Sequence, residues 1–414
     1  MKKILLGSVA ASTLVMVSAA SADTIKIGFM ATFEGVYTVM GEDSQRGLEV
    51  ALKEFGNKAG GKDIQVFTAS TDASPESAIR GVRKLVEQDG VDIIIGPLSG
   101  SEGIALRDYS KTQPQVTFIN GISGAQETTF VDPSENFFRF NMDGAQWGAG
   151  LGEYVFNKKG WKTVATFAED YSFGYTNFLG FALGYCNAGG KIVERFWNPL
   201  GNKDYSSVIA ALPDDVDAIY LGLGGADAVN FLNQYQQAGG GDVGLIGGTI
   251  MVDPTVLNSK GTAKELLIGT PSSGPQADDW DHPQWQKFVK AYQDAFPPDK
   301  RFPSPALMAT GYYNASSAAF SCLNEIDGDL SDGHAKFRGC LANLELDAPN
   351  GKITLDDNRQ AIGTNFVTEV VELDNGNLSL KLVEVVENVN QTLGLPEDEF
   401  RALGLPSREI VQCN

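Results

Sequence analysis

The sequence predicts two doubly wound α/β lobes, and three observations carry that reading. Short apolar strands alternate with amphipathic helices from residue 25 to about residue 120. The alternation breaks near residues 140–143 and then starts again. Several strands are apolar along their whole length, as in the Ile-Ile-Ile run at 93–95. Continuous apolar runs mark parallel strands covered by helices on both faces, and repeated β–α alternation builds a parallel, doubly wound sheet.

Residues 25–30 read as the first strand. Residues 41–55 form a helix with Leu48, Ala51, Leu52 and Phe55 on one face. Strand 64–69 follows, then a helix opened by Ser74 as its cap and Pro75 at its first position. Ile79, Val82, Leu85 and Val86 form the buried stripe of that helix. Strand 91–95, helix 104–110 and strand 116–120 complete the first run. The second run reads as helix 145–157, strand 163–167, helix 175–187, strand 191–197, helix 206–212 and strand 218–221. Helix 226–238, strand 243–246, a helix near Thr255 and strand 267–269 end it. After Thr270, helices at 283–295, 306–326 and 333–344 read as cover for the first lobe. Residues 366–373 and 378–386, on either side of Asp-Asn-Gly-Asn, read as a β-hairpin. Leu-Gly-Leu-Pro occurs at 393–396 and again at 403–406. This tail reads as two short helical turns, with a partner-binding segment as the alternative.

The first residues give an address. Lys2 and Lys3 precede an apolar run at 4–17, and Ser-Ala-Ala-Ser-Ala-Asp follows. Small residues at Ala20 and Ala22 predict a signal peptide over 1–22, cut before Asp23, and hence a protein that works outside the cytoplasm. A retained anchor is the alternative, but the run is short of the roughly 20 residues a span needs. No cysteine lies at the cleavage point, so a freely diffusing chain is expected. The 52 acidic against 32 basic residues, a net charge of −20, argue against nucleic acid. Cys186, Cys322, Cys340 and Cys413 in an exported chain suggest two disulfides, for which three connectivities exist. Cys322–Cys340 with Cys186–Cys413 is preferred, since the first closes a short loop between helices and the second pins the tail. Free buried thiols are the alternative.

Motifs for chemistry are weak. Gly222-Leu-Gly224-Gly225-Ala-Asp227 lies where a dinucleotide fingerprint would, but Asp227 replaces the third glycine and would repel a pyrophosphate. The acidic run at 327–333 fails the calcium-loop pattern at Asp332 and Arg338. No Gly-x-Ser-x-Gly elbow exists. The two histidines read as a helix cap, His282, and a helix start, His334. Asp214, Asp215, Asp356 and Asp357 lie in polar turns and read as solvated. No enzyme, metal site or cofactor is therefore expected. Two turns remain, Gly96-Pro-Leu-Ser-Gly-Ser101 and Asn120-Gly-Ile-Ser-Gly-Ala125, each following a strand. Both offer N–H groups and hydroxyls that suit a carboxylate, and ordinary βα turns explain either one equally well.

Those residues in order, with 25–29 Ile-Lys-Ile-Gly-Phe, 95–101 Ile-Gly-Pro-Leu-Ser-Gly-Ser, 122–129 Ile-Ser-Gly-Ala-Gln-Glu-Thr-Thr, Phe138-Arg-Phe and 170–176 Asp-Tyr-Ser-Phe-Gly-Tyr-Thr, resemble a known family. So do 201–206 Gly-Asn-Lys-Asp-Tyr-Ser and 217–220 Asp-Ala-Ile-Tyr. It is the family of periplasmic substrate-binding proteins of the branched-chain amino acid (Leu/Ile/Val-binding, type I) ABC importers. The resemblance implies Rossmann-like lobes joined by three crossing segments: 23–142 with 271–355, and 143–270 with 356–390. Residues 391–414 would be a tail on the second lobe. It implies a small-molecule solute held in the cleft by hinge closure, a membrane permease as partner, and a monomer.

By position, the resemblance assigns the ligand carboxylate to Ser99, Gly100 and Ser101 and to Ile122, Ser123 and Gly124. It puts Phe173 and Tyr171 against the ligand, Met40 and Gly224 at positions where the family often has an aromatic, and Thr249 where amino-acid binders carry a glutamate. A hydroxyl there leaves an ammonium unpaired. With Met251 also near, an apolar or aromatic carboxylic acid is expected rather than a plain branched-chain amino acid. An amide or other polar uncharged solute, and a ligand sensor for a membrane receptor, are the alternatives.

Overall fold

Thr24–Thr32 founds the first sheet of this computed structural model, which describes residues 24–259 and 263–413. The export segment expected over 1–22 lies outside the described residues. Thr24–Thr32 pairs in parallel with Lys62–Thr71 on one side and Ile93–Ile95 on the other. Thr117–Ile119 and Phe137–Phe138 extend the sheet in parallel. A short strand, Lys58–Ala59, borders it in antiparallel register. Apart from that border the strands run 2-1-3-4-5 in chain order, so the order reverses between Thr24–Thr32 and Ile93–Ile95.

The second sheet repeats the scheme. Lys191–Asn198, Thr163–Glu169, Ala218–Gly222, Gly244–Gly247 and Pro271–Gly274 are all parallel and again run 2-1-3-4-5. Its reversal lies between Thr163–Glu169 and Ala218–Gly222. Beyond Pro271–Gly274 comes an antiparallel hairpin, Ala361–Glu372 with Leu378–Val389. Leu346–Ala348 and Gly351–Leu355 continue past it.

The helices follow their patterns. Ser74 accepts from the Ser77 N–H at 3.3 Å and caps Pro75–Arg83. Leu48 and Ala51 of Thr38–Glu54 are buried against the long Leu307–Glu325 helix. His282 caps Pro283–Ala295, and His334 stands in left-handed conformation before Ala335–Asn343.

Four expectations change. The helix expected over 145–157 divides into Gly144–Trp147 and Leu151–Tyr154, because Gly150 between them is left-handed, with φ +85°. The strand expected at 267–269 begins instead at Pro271, since Lys264–Leu267 winds into a short turn that buries Leu267. Pro271–Gly274 thus lies in the second sheet and not with the first lobe. Finally, Ala361–Glu372 runs from one core to the other. Ala361 packs with Ile353 and Phe140 of the first lobe, and Val370 with Phe167 and Ile219 of the second.

Among the described residues of the tail only Glu397–Ala402 is helical, and the second Leu-Gly-Leu-Pro repeat is an irregular turn. Phe400 meets Phe130 edge-on at 5.5 Å, and Ile410 joins the core around Phe178 and Phe181. Cys186 is bonded to Cys413 and Cys322 to Cys340, with Cα–Cα separations of 4.9 and 5.6 Å.

Candidate functional site

In an open α/β sheet the crevice for a ligand opens at the carboxyl ends of the strands, where the strand order reverses. Both sheets have such a point, and the two face each other. The turns that leave them, 33–37 and 96–99 from the first sheet and 170–172 and 223–224 from the second, meet across one cleft. A small cavity of about 20 Å³ lies there, lined by Tyr37, Met40, Leu98, Ser99, Gly100, Ile122, Gly124, Trp147, Tyr171, Phe173, Ile250 and Met308.

On the first-lobe side two chain turns, at Ser99-Gly100 and Ile122–Gly124, stand beside Tyr37, Met40, Leu98 and Met308. The Ser99 N–H donates to Glu102 Oε2 at 3.0 Å, and the Ser99 hydroxyl donates to the Ala73 carbonyl at 3.0 Å. Gly100 and Ser101 form the first turn of the Gly100–Ser110 helix, where N–H groups have no acceptor within the helix. The neighbouring turn is anchored from behind. Its Ser123 carbonyl accepts from Arg139 Nη2 at 2.6 Å, Asn120 Nδ2 at 3.0 Å and Asn141 Nδ2 at 3.3 Å. Burial lowers the Arg139 guanidinium to about 10, which leaves it charged at neutral pH.

On the second-lobe side the wall is aromatic. Phe173 packs edge-on to Trp147 at 5.6 Å, and its ring centroid is 6.0 Å from that of Tyr171. The walls touch: a Cβ on Gly100 would lie 2.9 Å from Phe173 Cβ, and one on Gly124 2.6 Å from Phe173 Cδ2. Only glycine allows so close an approach.

Polar contacts bridge the lobes. The Tyr37 hydroxyl is hydrogen-bonded to Glu169 Oε2 and lies 2.9 Å from the Tyr171 hydroxyl. Glu169 Oε1 accepts from the Gly224 N–H at 2.9 Å. The Ser101 and Ser172 hydroxyls are 3.1 Å apart, and the Leu307 N–H donates to Asp253 Oδ2 at 3.1 Å. Burial pushes three carboxyls up: Glu169 to about 8, Glu102 to about 7 and Asp253 to about 7.

Of the residues singled out in the sequence, Met40, Ser99, Gly100, Ile122, Gly124, Tyr171 and Phe173 line the cavity. Ser101, Ser123, Gly224 and Thr249 do not. The Ser101 hydroxyl faces Ser172, Ser123 is fully buried against Gly103, and the Gly224 N–H is taken by Glu169. Thr249 donates to the Ser273 carbonyl at 2.8 Å and accepts from Asn177 Nδ2 at 3.1 Å. Its neighbour Ile250 takes the cleft position, while Met251 is fully buried in the second-lobe core. Sequence reasoning missed Tyr37, Leu98, Trp147, Ile250, Met308 and the Glu169 behind them. Tyr37 and Glu169 could have been found by asking which residues follow or end the first strand of each run. Among the described residues no group of three or more His, Cys, Asp or Glu could hold a metal ion.

Residues 24–377 match the periplasmic binding protein family, and the chain belongs to it. The chain is 25% identical over 397 residues to Leu/Ile/Val-binding protein homolog 6 of Brucella melitensis biotype 1, covering 94% of this chain and 97% of that one. An ABC transporter substrate-binding protein from Sphaerobacter thermophilus superposes with a TM-score of 0.79 at 26% identity, covering 89% of this chain and 99% of that one. A solute-binding protein of an ABC transporter from Rhodopseudomonas palustris BisB5, in complex with 3,4-dihydroxy benzoic acid, superposes with a TM-score of 0.80 at 24% identity, covering 89% and 98%. The family and these neighbours are solute-binding proteins of ABC transporters, not enzymes, and they work with membrane permeases. The family is an extracytoplasmic one.

Proposed function

We propose that the chain captures a small aromatic or apolar carboxylic acid in this cleft, that its lobes close over the solute, and that a permease receives it. The observation that supports this most is the lining, which holds no charged side chain. An α-amino acid brings an ammonium that needs a buried counter-charge. Glu169 is a poor one: both its oxygens are already bonded, and at about 8 it is mostly protonated at neutral pH. A carboxylate alone fits. It sits at the first turn of Gly100–Ser110, taking the N–H groups of Gly100 and Ser101, with Ile122 and Gly124 beside it. A flat ring then lies between Phe173, Met40, Trp147 and Met308 once these side chains part, since the space they leave is about 20 Å³. The Rhodopseudomonas palustris neighbour holds an acid of this class on the same fold.

Isothermal titration of the purified protein with benzoate, 4-hydroxybenzoate, leucine and glutamine tests this. The aromatic acids are expected to bind at micromolar concentrations or below, worth about 8 kcal/mol, and leucine not to bind. Tight binding of leucine with no binding of either acid overturns it.

A further inference from the structure

Glu169, Tyr37 and Tyr171 form a relay that exists only when the lobes are together, because Tyr37 belongs to the first lobe and Glu169 and Tyr171 to the second. Glu169 is 1% exposed and Tyr37 also 1%. The charged or titratable groups that act on Glu169 and Tyr171 are Tyr37, Tyr205, Asp227 and Glu102. None is a cation. Lys203 acts on Asp227, and Asp227 Oδ2 accepts from the Gly201 N–H at 2.7 Å.

The hydrogen-bond bookkeeping of the relay has two solutions. Glu169 Oε1 faces an N–H, which can only donate, so a proton on Glu169 resides on Oε2, facing the Tyr37 hydroxyl. Protonated Glu169 donates to Tyr37, Tyr37 donates to Tyr171, and the Tyr171 proton is left to donate elsewhere. Ionised Glu169 accepts from Tyr37, Tyr37 accepts from Tyr171, and Tyr171 is left with lone pairs only. Tyr37 and Tyr171 both line the cavity.

We propose that Tyr171 is a specificity-determining residue whose hydroxyl reads the solute's second polar substituent, and that the proton on Glu169 sets whether this hydroxyl donates or accepts. The proposal rests on the aromatic-carboxylate reading. The proton is taken from water as the lobes close and returned when they open. Below the pH where Glu169 ionises, an acceptor such as a carbonyl is welcome at this position. Above it, only a donor such as a phenol is. A phenol can serve in both states, because its hydroxyl both donates and accepts.

Dissociation constants of benzoate, 4-hydroxybenzoate and 4-formylbenzoate are measured from about pH 6 to about pH 8.5, which brackets the value of about 8 for Glu169. Relative to benzoate, 4-formylbenzoate is expected to weaken about fourfold across that range, because about a quarter of Glu169 stays protonated at its upper end, while 4-hydroxybenzoate holds. Tyr171→Phe is expected to make the formyl-to-hydroxyl ratio independent of pH. A wild-type ratio constant within about twofold, or a slope retained in Y171F, overturns the proposal. If Y171F does not fold, the wild-type slope decides alone. If none of the three acids binds, the aromatic-carboxylate reading has failed, and infrared difference spectra of the chain locked shut by a disulfide between Ser101→Cys and Ser172→Cys, whose native hydroxyls lie 3.1 Å apart across the lobes, test the relay without ligand. A protonated-carboxyl stretch at neutral pH that Glu169→Gln removes supports it, and its absence overturns it.

Discussion

The first-lobe side of the cleft carries two chain turns, whose Gly100 and Gly124 come to within contact of Phe173, whereas the second-lobe side meets them with the rings of Tyr171 and Phe173. Backbone turns are fixed by what lies behind them, here Arg139, Asn120 and Asn141 converging on the Ser123 carbonyl. Rings can turn about χ1 and χ2 and take up small changes. The first wall should therefore tolerate almost no added volume, and the second should tolerate a good deal.

The hardest test is Gly100→Val. Its Cβ would lie 2.9 Å from Phe173 Cβ and 3.0 Å from the Phe173 backbone nitrogen, so the lobes could not close fully. Affinity for 4-hydroxybenzoate is expected to fall about 100-fold, or about 3 kcal/mol, by titration calorimetry. Unchanged affinity would break the comparison outright.

Next comes the acid beneath the first wall. Burial raises Glu102 from 4.5 to about 7 in the folded chain. The folded state then binds more protons than the unfolded one between those values. This contribution is fully present below about pH 4.5, declines as pH rises, and is gone above about pH 7. Glu102→Gln removes the dependence. Urea unfolding should show the variant gaining about 2–3 kcal/mol on wild type between pH 4.5 and pH 8; a parallel pair of curves would show that the carboxyl is not held neutral.

A smaller effect is expected on the aromatic wall. Phe173→Leu keeps most of the volume, and 4-hydroxybenzoate should bind about fivefold more weakly, about 1 kcal/mol. A loss as large as that of Gly100→Val would mean both walls are equally rigid. The smallest change in affinity is expected from Cys186→Ser with Cys413→Ser. It frees the tail on the far side of the second lobe, so Kd should move less than about twofold, while the urea midpoint falls. A large change in Kd would tie the tail to the cleft.

Much of the fold was legible because the central parallel strands are buried on both faces, so Ile93–Ile95 and Ala218–Gly222 stand out as apolar runs. The helix caps at Ser74 and His282 were readable because capping is a local effect. What escaped is what depends on distant pairing. Ala361–Glu372 serves both cores, and its length reflects two partners, the adjacent Gly351–Leu355 and the distant Pro271–Gly274. Within the site, the Ser99-Gly100 and Ile122–Gly124 turns were visible as sequence after strands. Tyr37 and Glu169 are 132 residues apart and mean something only together. Thr249 was placed one residue from Ile250, and in a turn after a strand one residue is the difference between a core bond and a cleft wall.

The two disulfides are nested: Cys322–Cys340 spans 18 residues and lies wholly inside the 227 spanned by Cys186–Cys413. Cysteines joined in order of emergence would couple Cys186 to Cys322. The native outer bond must wait for Cys413, which emerges after all three crossings between the lobes. An oxidase working on the growing chain would give the wrong connectivity, and reaching the native one from there requires thiol–disulfide exchange.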